Sequence, residues 1–224
     1  MAHNAFERLT GIKHIVWDWN GTLLDDNHAN LAALNQVCVE FGRPRVDLEY
    51  WRSVFRRPLV ECYEELLERS FADGEWPRIN EIYDRHYLSE VPGCGLAEGV
   101  PDVLHRWAAF GGTQSLLSMA SHAHVNELVA ERGLGGHFAR VDGRRFGTVS
   151  DSKADHLAAH LEELGADPAS VVLIGDIDDD ARAARAAGAS AILVESGLMN
   201  RRRLEATGHP VVSTPAEAVR LLGA

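Results

Sequence analysis

A chain of 224 residues, 46% hydrophobic and 25% charged, is long enough for one full core and a smaller attached unit. Its formal net charge of -11 repels polyanions, and the short clusters Arg56–Arg57, Arg144–Arg145 and Arg201–Arg203 read as solvated faces, not as a nucleic-acid stripe. No stretch has the apolar length of a signal peptide or a bilayer span, and Cys38, Cys62 and Cys94 are too scattered for a disulfide framework. The expectation is a cytoplasmic protein with neither a nucleic-acid nor a membrane partner.

In chain order, the first apolar run, 14–17, lacks polar alternation, as a strand covered on both faces should. From 27 to 90 the pattern changes to helix after helix. Leu31, Leu34, Cys38 and Phe41 recur at helical spacing, Pro58 opens a helix carrying Val60, Tyr63 and Leu67, and Ile79, Ile82, Tyr83 and Tyr87 form another such stripe. Gly93, Gly95 and Gly99 loosen the return to a second regime, in which strand runs at 114–119, 171–174 and 191–194 alternate with helical patterns at 100–110, 125–132, 153–164 and 179–187. Gly188 closes the last of these helices. This alternation predicts an α/β fold: a Rossmann-like parallel sheet core formed by 1–26 and 91–224, with a small all-helical cap, 27–90, inserted after the first strand.

Ligands of open parallel sheets bind beyond the carboxyl ends of the strands, so those ends carry the chemistry. The first run stops at Asp18-Trp19-Asn20-Gly21-Thr22, the second near Ser118, and the third at Gly175-Asp176-Ile177-Asp178-Asp179-Asp180, while Lys153 begins a helix after Ser152. Carboxylates, one hydroxyl and one ammonium gathered on one edge suit phosphoryl transfer. Acidic oxygens hold Mg²⁺, an ionised Asp can act as nucleophile, and lysine and serine can hold the phosphoryl oxygens.

Residues 14–22, HIVWDWNGT, together with Ser118, Lys153 and the segment from Gly175 to Asp180, resemble the four ordered motifs of the haloacid dehalogenase superfamily. The helical insert falls where phosphoglycolate phosphatase-like members carry a cap. The resemblance implies an enzyme: a Mg²⁺-dependent phosphatase acting on a small phosphorylated substrate through an aspartyl-phosphate. Asp18 would be nucleophile and metal ligand, and Asn20 would lend the metal its backbone carbonyl. Ser118 and Lys153 would bind the phosphoryl group, with Lys153 also restraining Asp18. Asp176 and Asp180 would complete the metal site, with Asp179 as the rival of Asp180. Arg56, in the cap, is a candidate contact for a substrate anion.

One position departs from the family pattern. Phosphatases of the superfamily usually carry Asp two residues after the nucleophile as general acid and base, and here that residue is Asn20. An amide transfers no proton, and the lost function is worth roughly 10²–10⁴-fold in rate. Three readings follow: substrates with good leaving groups such as acyl phosphates, a substitute acid drawn from His122 or His124, or a protein that binds phosphate and turns it over slowly. A scaffold cleaving another bond is a further alternative. Residues 27–98 hold no lysine for the Schiff base of phosphonatase-type members, and Asp176 and Asp180 retain a metal site that a dehalogenase does not need.

Overall fold

The computed structural model of the chain describes residues 9–145 and 152–224; the expected core segments 1–8 and 146–151 lie outside the described residues. The strands are β1 (His14–Trp17), β2 (Thr113–Ser121), β3 (Val141–Arg144), β4 (Val171–Gly175), β5 (Ser190–Val194) and β6 (Val211–Val212). They form one sheet in the order β3-β2-β1-β4-β5-β6, with every pairing parallel. β1 and β4 are buried along their whole length, as their unbroken apolar sequences require. The direction of winding reverses at β1, where Trp17 pairs with Ile174 on one side and Leu116 on the other. A crevice opens at the carboxyl ends of the strands on either side of such a reversal.

Between β1 and β2 the chain folds into α1 (Asn27–Glu40), α2 (Leu48–Val54), α3 (Leu59–Leu67) and α4 (Glu75–Glu90), followed by α5 (Val100–Ala109) against the sheet. Pro58 stands at the cap of α3, and Cys62, Tyr63, Leu66 and Leu67 turn inward from it at helical spacing. The two connections of the insertion run side by side. The Asp25 N–H donates to Gly95 O at 3.0 Å, that of Ala97 donates to Leu23 O at 2.9 Å, and Leu24 bridges Leu96 in antiparallel fashion. Apolar packing is continuous across this seam: one cluster joins Leu34, Trp51, Tyr63 and Ile82 of the insertion to Val16, Leu117 and Leu173 of the sheet.

The remaining helices are α6 (His122–Glu131), α7 (Lys153–Leu164), α8 (Asp178–Ala187), α9 (Arg201–Glu205) and α10 (Pro215–Leu221). Ala181, Ala183 and Ala184 are the buried face of α8, small enough to bring the helix close to the sheet. Gly188 ends α8 in the left-handed conformation, φ 78°, as read from the sequence. Four strands were expected and β3 and β6 were not. β3 is an edge strand of sequence VDGR with only two buried residues, and β6 is two residues long, so neither presents an apolar run.

The sheet also buries a polar chain. His14 meets Thr113 Oγ1 through Nδ1 at 2.7 Å and Ser115 Oγ through Nε2 at 2.8 Å. Ser115 Oγ in turn lies 2.8 Å from His160 Nε2, and His160 Nδ1 lies 2.8 Å from Asp142 Oδ2. Burial raises the Asp142 carboxyl but is outweighed by hydrogen bonds from Arg140, His160 and Arg145, which leave it at about 2. An ionised Asp142 requires the proton on His160 Nδ1, so Ser115 donates to His160 and accepts from His14. The chain is then satisfied with both rings neutral.

Burial, with His160 adding, pulls His14 down from 6.5 to about 4. A histidine with a folded pKa below its unfolded one contributes stability that is fully present above the unfolded value and lost as pH falls from there toward the folded value. Between about pH 7.5 and about pH 5, His14 alone should therefore remove about 2 kcal/mol of unfolding free energy. Urea titrations at the two pH values should show that loss in the wild type and a shallower one in His14→Gln; equal losses would exclude His14 as the titrating group.

Candidate active site

The groups read from the sequence converge at the carboxyl edge of β1 and β4. Asp18, one residue beyond β1, is fixed by its own N–H, which donates to Ile174 O at 2.8 Å. Asp176 follows β4, and Asp180 lies in the first turn of α8, where its Oδ2 accepts the Ile177 N–H at 3.1 Å. Lys153 is the first residue of α7, whose start is capped by Ser152 Oγ accepting the Ala154 N–H at 3.2 Å. The Lys153 ammonium donates to Asp18 Oδ1 and, at 2.5 Å, to Asp180 Oδ1. All four side chains are buried.

Asp18, Asp176 and Asp180 each offer an oxygen, and these atoms lie within 4.8 Å of one another. Burial pushes the Asp18 carboxyl up to about 6, with the charge of Lys153 opposing and that of Asp180 adding. Burial, followed by the charges of Asp18 and Asp180, holds Asp176 well above the usual carboxylate range. Lys153 is raised: burial works against its charge, and the two carboxylates outweigh that effect. With all three carboxyls ionised, one ammonium would leave two negative charges uncompensated. Buried charge of that size calls for a counter-ion, and an all-oxygen donor set of this kind fits a hard divalent cation.

Asp179 and Asp180 face different neighbours. Asp180 points into the cluster, whereas Asp179 Oδ1 accepts from Arg182 at 3.3 Å and Asp178 Oδ2 from the same guanidinium at 2.7 Å. Ser118 and Asn20 adjoin each other, Ser118 Oγ donating to Asn20 Oδ1 at 3.2 Å. His122 is turned to the strand edge, its Nδ1 accepting the Gly143 N–H at 3.1 Å. Arg56 is not brought to the carboxylates. Its guanidinium is held by Glu65 at 2.7 Å, Glu61 at 3.4 Å and the Val54 carbonyl at 3.0 Å. Two other cap cations approach the core loops: its neighbour Arg57 lies 3.9 Å from Asp179, and Arg52 donates to Gly197 O at 2.8 Å.

Two contributors went unread. The loop after β5 supplies the Leu198 N–H, which donates to Asp176 Oδ2 at 2.7 Å, and Gly197 beside it lies so close that a Cβ would overlap the Asp176 carboxylate. Inspecting the end of the 191–194 run as the others were inspected would have found this loop. Gly175 is equally confined by Asp180, and Gly21, at φ +71°, by Asp176 and Gly197. The second contributor is Tyr87, from the far end of α4, which hydrogen-bonds both Asn20 and Asp26. Its helical spacing marked it only as core.

Gly197→Ala should displace the Asp176 carboxylate and weaken divalent-cation binding, read by calorimetry, by roughly 10-fold or more. Gly93→Ala, at a position facing open space, serves as the control. Unchanged affinity in Gly197→Ala would mean that Asp176 does not hold the cation.

The family profile of haloacid dehalogenase-like hydrolases matches residues 15–194. Relatives include phosphoglycolate phosphatases of Mesorhizobium japonicum, 26% identical over 89% of this chain and 89% of that protein, and of Synechococcus elongatus, 26% identical over 86% and 88%. In fold, the chain is similar to a haloacid dehalogenase-like family hydrolase from Streptococcus pneumoniae, with a TM-score of 0.81 over 94% of this chain and 98% of that one at 19% identity. A family IA hydrolase from Entamoeba histolytica gives 0.77 over 95% and 100% at 15% identity. With the parallel sheet, the helical insertion after β1 and the convergence of Asp18, Lys153, Asp176 and Asp180, the match over most of its length makes this chain a member of the haloacid dehalogenase-like hydrolase family.

Proposed function

We propose that the protein is a Mg²⁺-dependent phosphatase that transfers the phosphoryl group of a small cytoplasmic metabolite to Asp18 and then to water. The observation that carries this reading is the convergence of three buried carboxylates and one buried ammonium at the winding reversal of the sheet. The helices 27–90 serve as a cap over that edge, and 1–26 with 91–224 as the catalytic core. The three cysteines are buried and unpaired, in keeping with a reducing compartment.

Asp18, Asp176 and Asp180, with the Asn20 main-chain carbonyl, are the proposed holders of Mg²⁺. The cation, when bound, draws charge from the phosphoryl oxygens and offsets their repulsion of Asp18. Lys153 keeps Asp18 ionised and oriented and, with the Ser118 hydroxyl, holds the phosphoryl oxygens as the Asp18 carboxylate attacks phosphorus. The Leu198 N–H keeps Asp176 aimed into the site. Arg56 serves a substrate anion only by releasing Glu61 and Glu65, an exchange of exposed ion pairs each worth under about 1 kcal/mol. A small phosphorylated acid is the proposed substrate, a reading supported by relatives named phosphoglycolate phosphatase.

Phosphate release from an activated aryl phosphate should require Mg²⁺, cease in EDTA, and fall on the order of 10³-fold or more in Asp18→Asn. In the same preparations Mg²⁺ at roughly 100 times its dissociation constant should raise the unfolding free energy of the wild type by about 2.7 kcal/mol. Folded protein that binds Mg²⁺ yet releases no phosphate from any substrate would leave this site a phosphate-binding one.

A further inference from the structure

The way in which Asn20 is held bears on what the site can cleave. Its two amide hydrogens are both committed: Nδ2 donates to Asp26 Oδ2 at 2.8 Å and to Tyr87 Oη at 2.7 Å. Tyr87 passes its own proton to the same Asp26 oxygen at 2.6 Å, and the Gly21 N–H donates to Asp26 Oδ1 at 2.9 Å. Asp26, only 2% exposed, thus sits at the focus of three donors and acts purely as acceptor. That fixes which way the amide faces, because a flipped Asn20 would set its oxygen against a carboxylate oxygen and lose both bonds. The outward atom is Oδ1, and it accepts from Ser118 Oγ at 3.2 Å. Asn20 has no N–H left for a departing oxygen.

Several neighbouring donors are also engaged. The Tyr87 hydroxyl is spent on Asp26, Lys153 lies between Asp18 and Asp180, and Leu198 N–H on Asp176. His122 Nδ1 accepts the Gly143 N–H; His124 Nε2 is buried without a partner, and no hydrogen bond joins it to Asn20, Ser118 or Asp18 among the described residues. On the strength of the phosphatase reading above, we infer that the site takes phosphoryl compounds whose leaving group departs without a proton: acyl phosphates and phosphate esters of acidic hydroxyls, in preference to alkyl phosphate monoesters.

In the first step an Asp18 oxygen bonds to phosphorus as the bond from phosphorus to the leaving oxygen breaks, and the electron pair leaves as a free carboxylate or phenolate. In the second, a water oxygen bonds to phosphorus, the Asp18 oxygen is released as carboxylate, and the proton of the water passes to bulk solvent. Asn20 cannot take that proton, so the phosphorylated Asp18 outlives the first departure. Asp26 and Tyr87 are positioning residues in this scheme, acting only through Asn20.

The test uses the full chain with Mg²⁺ and a panel of acetyl phosphate, aryl phosphates of graded phenol acidity, and ethyl phosphate. Expected are kcat/KM values that fall steeply with leaving-group basicity, by roughly 10²-fold or more from acetyl to ethyl phosphate, and a burst of phenol release near one per chain. Asn20→Asp sets two carboxylates at hydrogen-bond distance, where one must hold a proton. It should raise the ethyl-to-aryl ratio of kcat/KM by roughly 10²-fold. Should that variant fold poorly, the exchange Asn20→Asp with Asp26→Asn supplies the acid while keeping one amide and one carboxylate. Ethyl phosphate turned over within about tenfold of acetyl phosphate would overturn the inference and leave the phosphatase reading intact, as would such turnover abolished by His124→Gln. A ratio unmoved in both folded variants also overturns it. Absence of metal-dependent release across the whole panel would remove the phosphatase reading itself, and this inference with it.

Discussion

Charge buried at the reversal of the sheet is the constraint around which the rest of the molecule is arranged. Asp18 and Asp176 end adjacent strands, β1 and β4, and Asp180 joins them from the next helix turn. Three carboxylates out of water are costly unless compensated. The fold answers with Lys153 at the start of α7, the Ile177 N–H on Asp180 and the Leu198 N–H on Asp176. Gly21, Gly175 and Gly197 stand where a side chain would occupy the space of those carboxylates. The remaining carboxylate oxygens form an all-oxygen donor set that fits a hard divalent cation.

The helical insertion is bound to this arrangement by polar as well as apolar contacts. Tyr83 and Tyr87 stack at the end of α4, and Tyr87 reaches the Asn20–Asp26 pair in the core. The two connections at 23–25 and 95–97 are hydrogen-bonded to each other, and Arg52 of the insertion donates to Gly197 O in the loop after β5. Any movement of α4 relative to the sheet would have to break or carry the hydrogen bonds that orient Asn20. The end of α4 and the orientation of Asn20 are joined through one phenol. The same economy appears on the other strands, where Thr113, His14, Ser115, His160 and Asp142 form a line in which the hydroxyl of Ser115 serves both rings.

The sequence pattern made the sheet legible where the strands are apolar and doubly covered, as in β1, β4 and β5, and failed where they are short or at an edge, as in β3 and β6. It located Asp18, Lys153 and Asp176 because strand ends and helix starts are local features. Arg56 and Arg57 carry no local distinction, since adjacent residues differ only in which way the folded backbone turns them. Asp179 and Asp180 were likewise inseparable until the first turn of α8 was placed against Lys153.

From the sequence alone, then, came the α/β alternation, the helical insertion after the first strand, the four motifs in order and the replacement of an acid by Asn20. Each of these depends on residue type and spacing within a few turns of chain. Only the tertiary structure decided that Leu198 and Gly197 frame Asp176 from 22 and 21 residues away, and that Tyr87, 67 residues beyond Asn20, takes one of its two amide hydrogens. Hydrogen bonds between residues so far apart leave no periodicity in the chain. They exist because the winding of the sheet brings three loops and one cap helix to a single edge, and what Asn20 can donate is settled there.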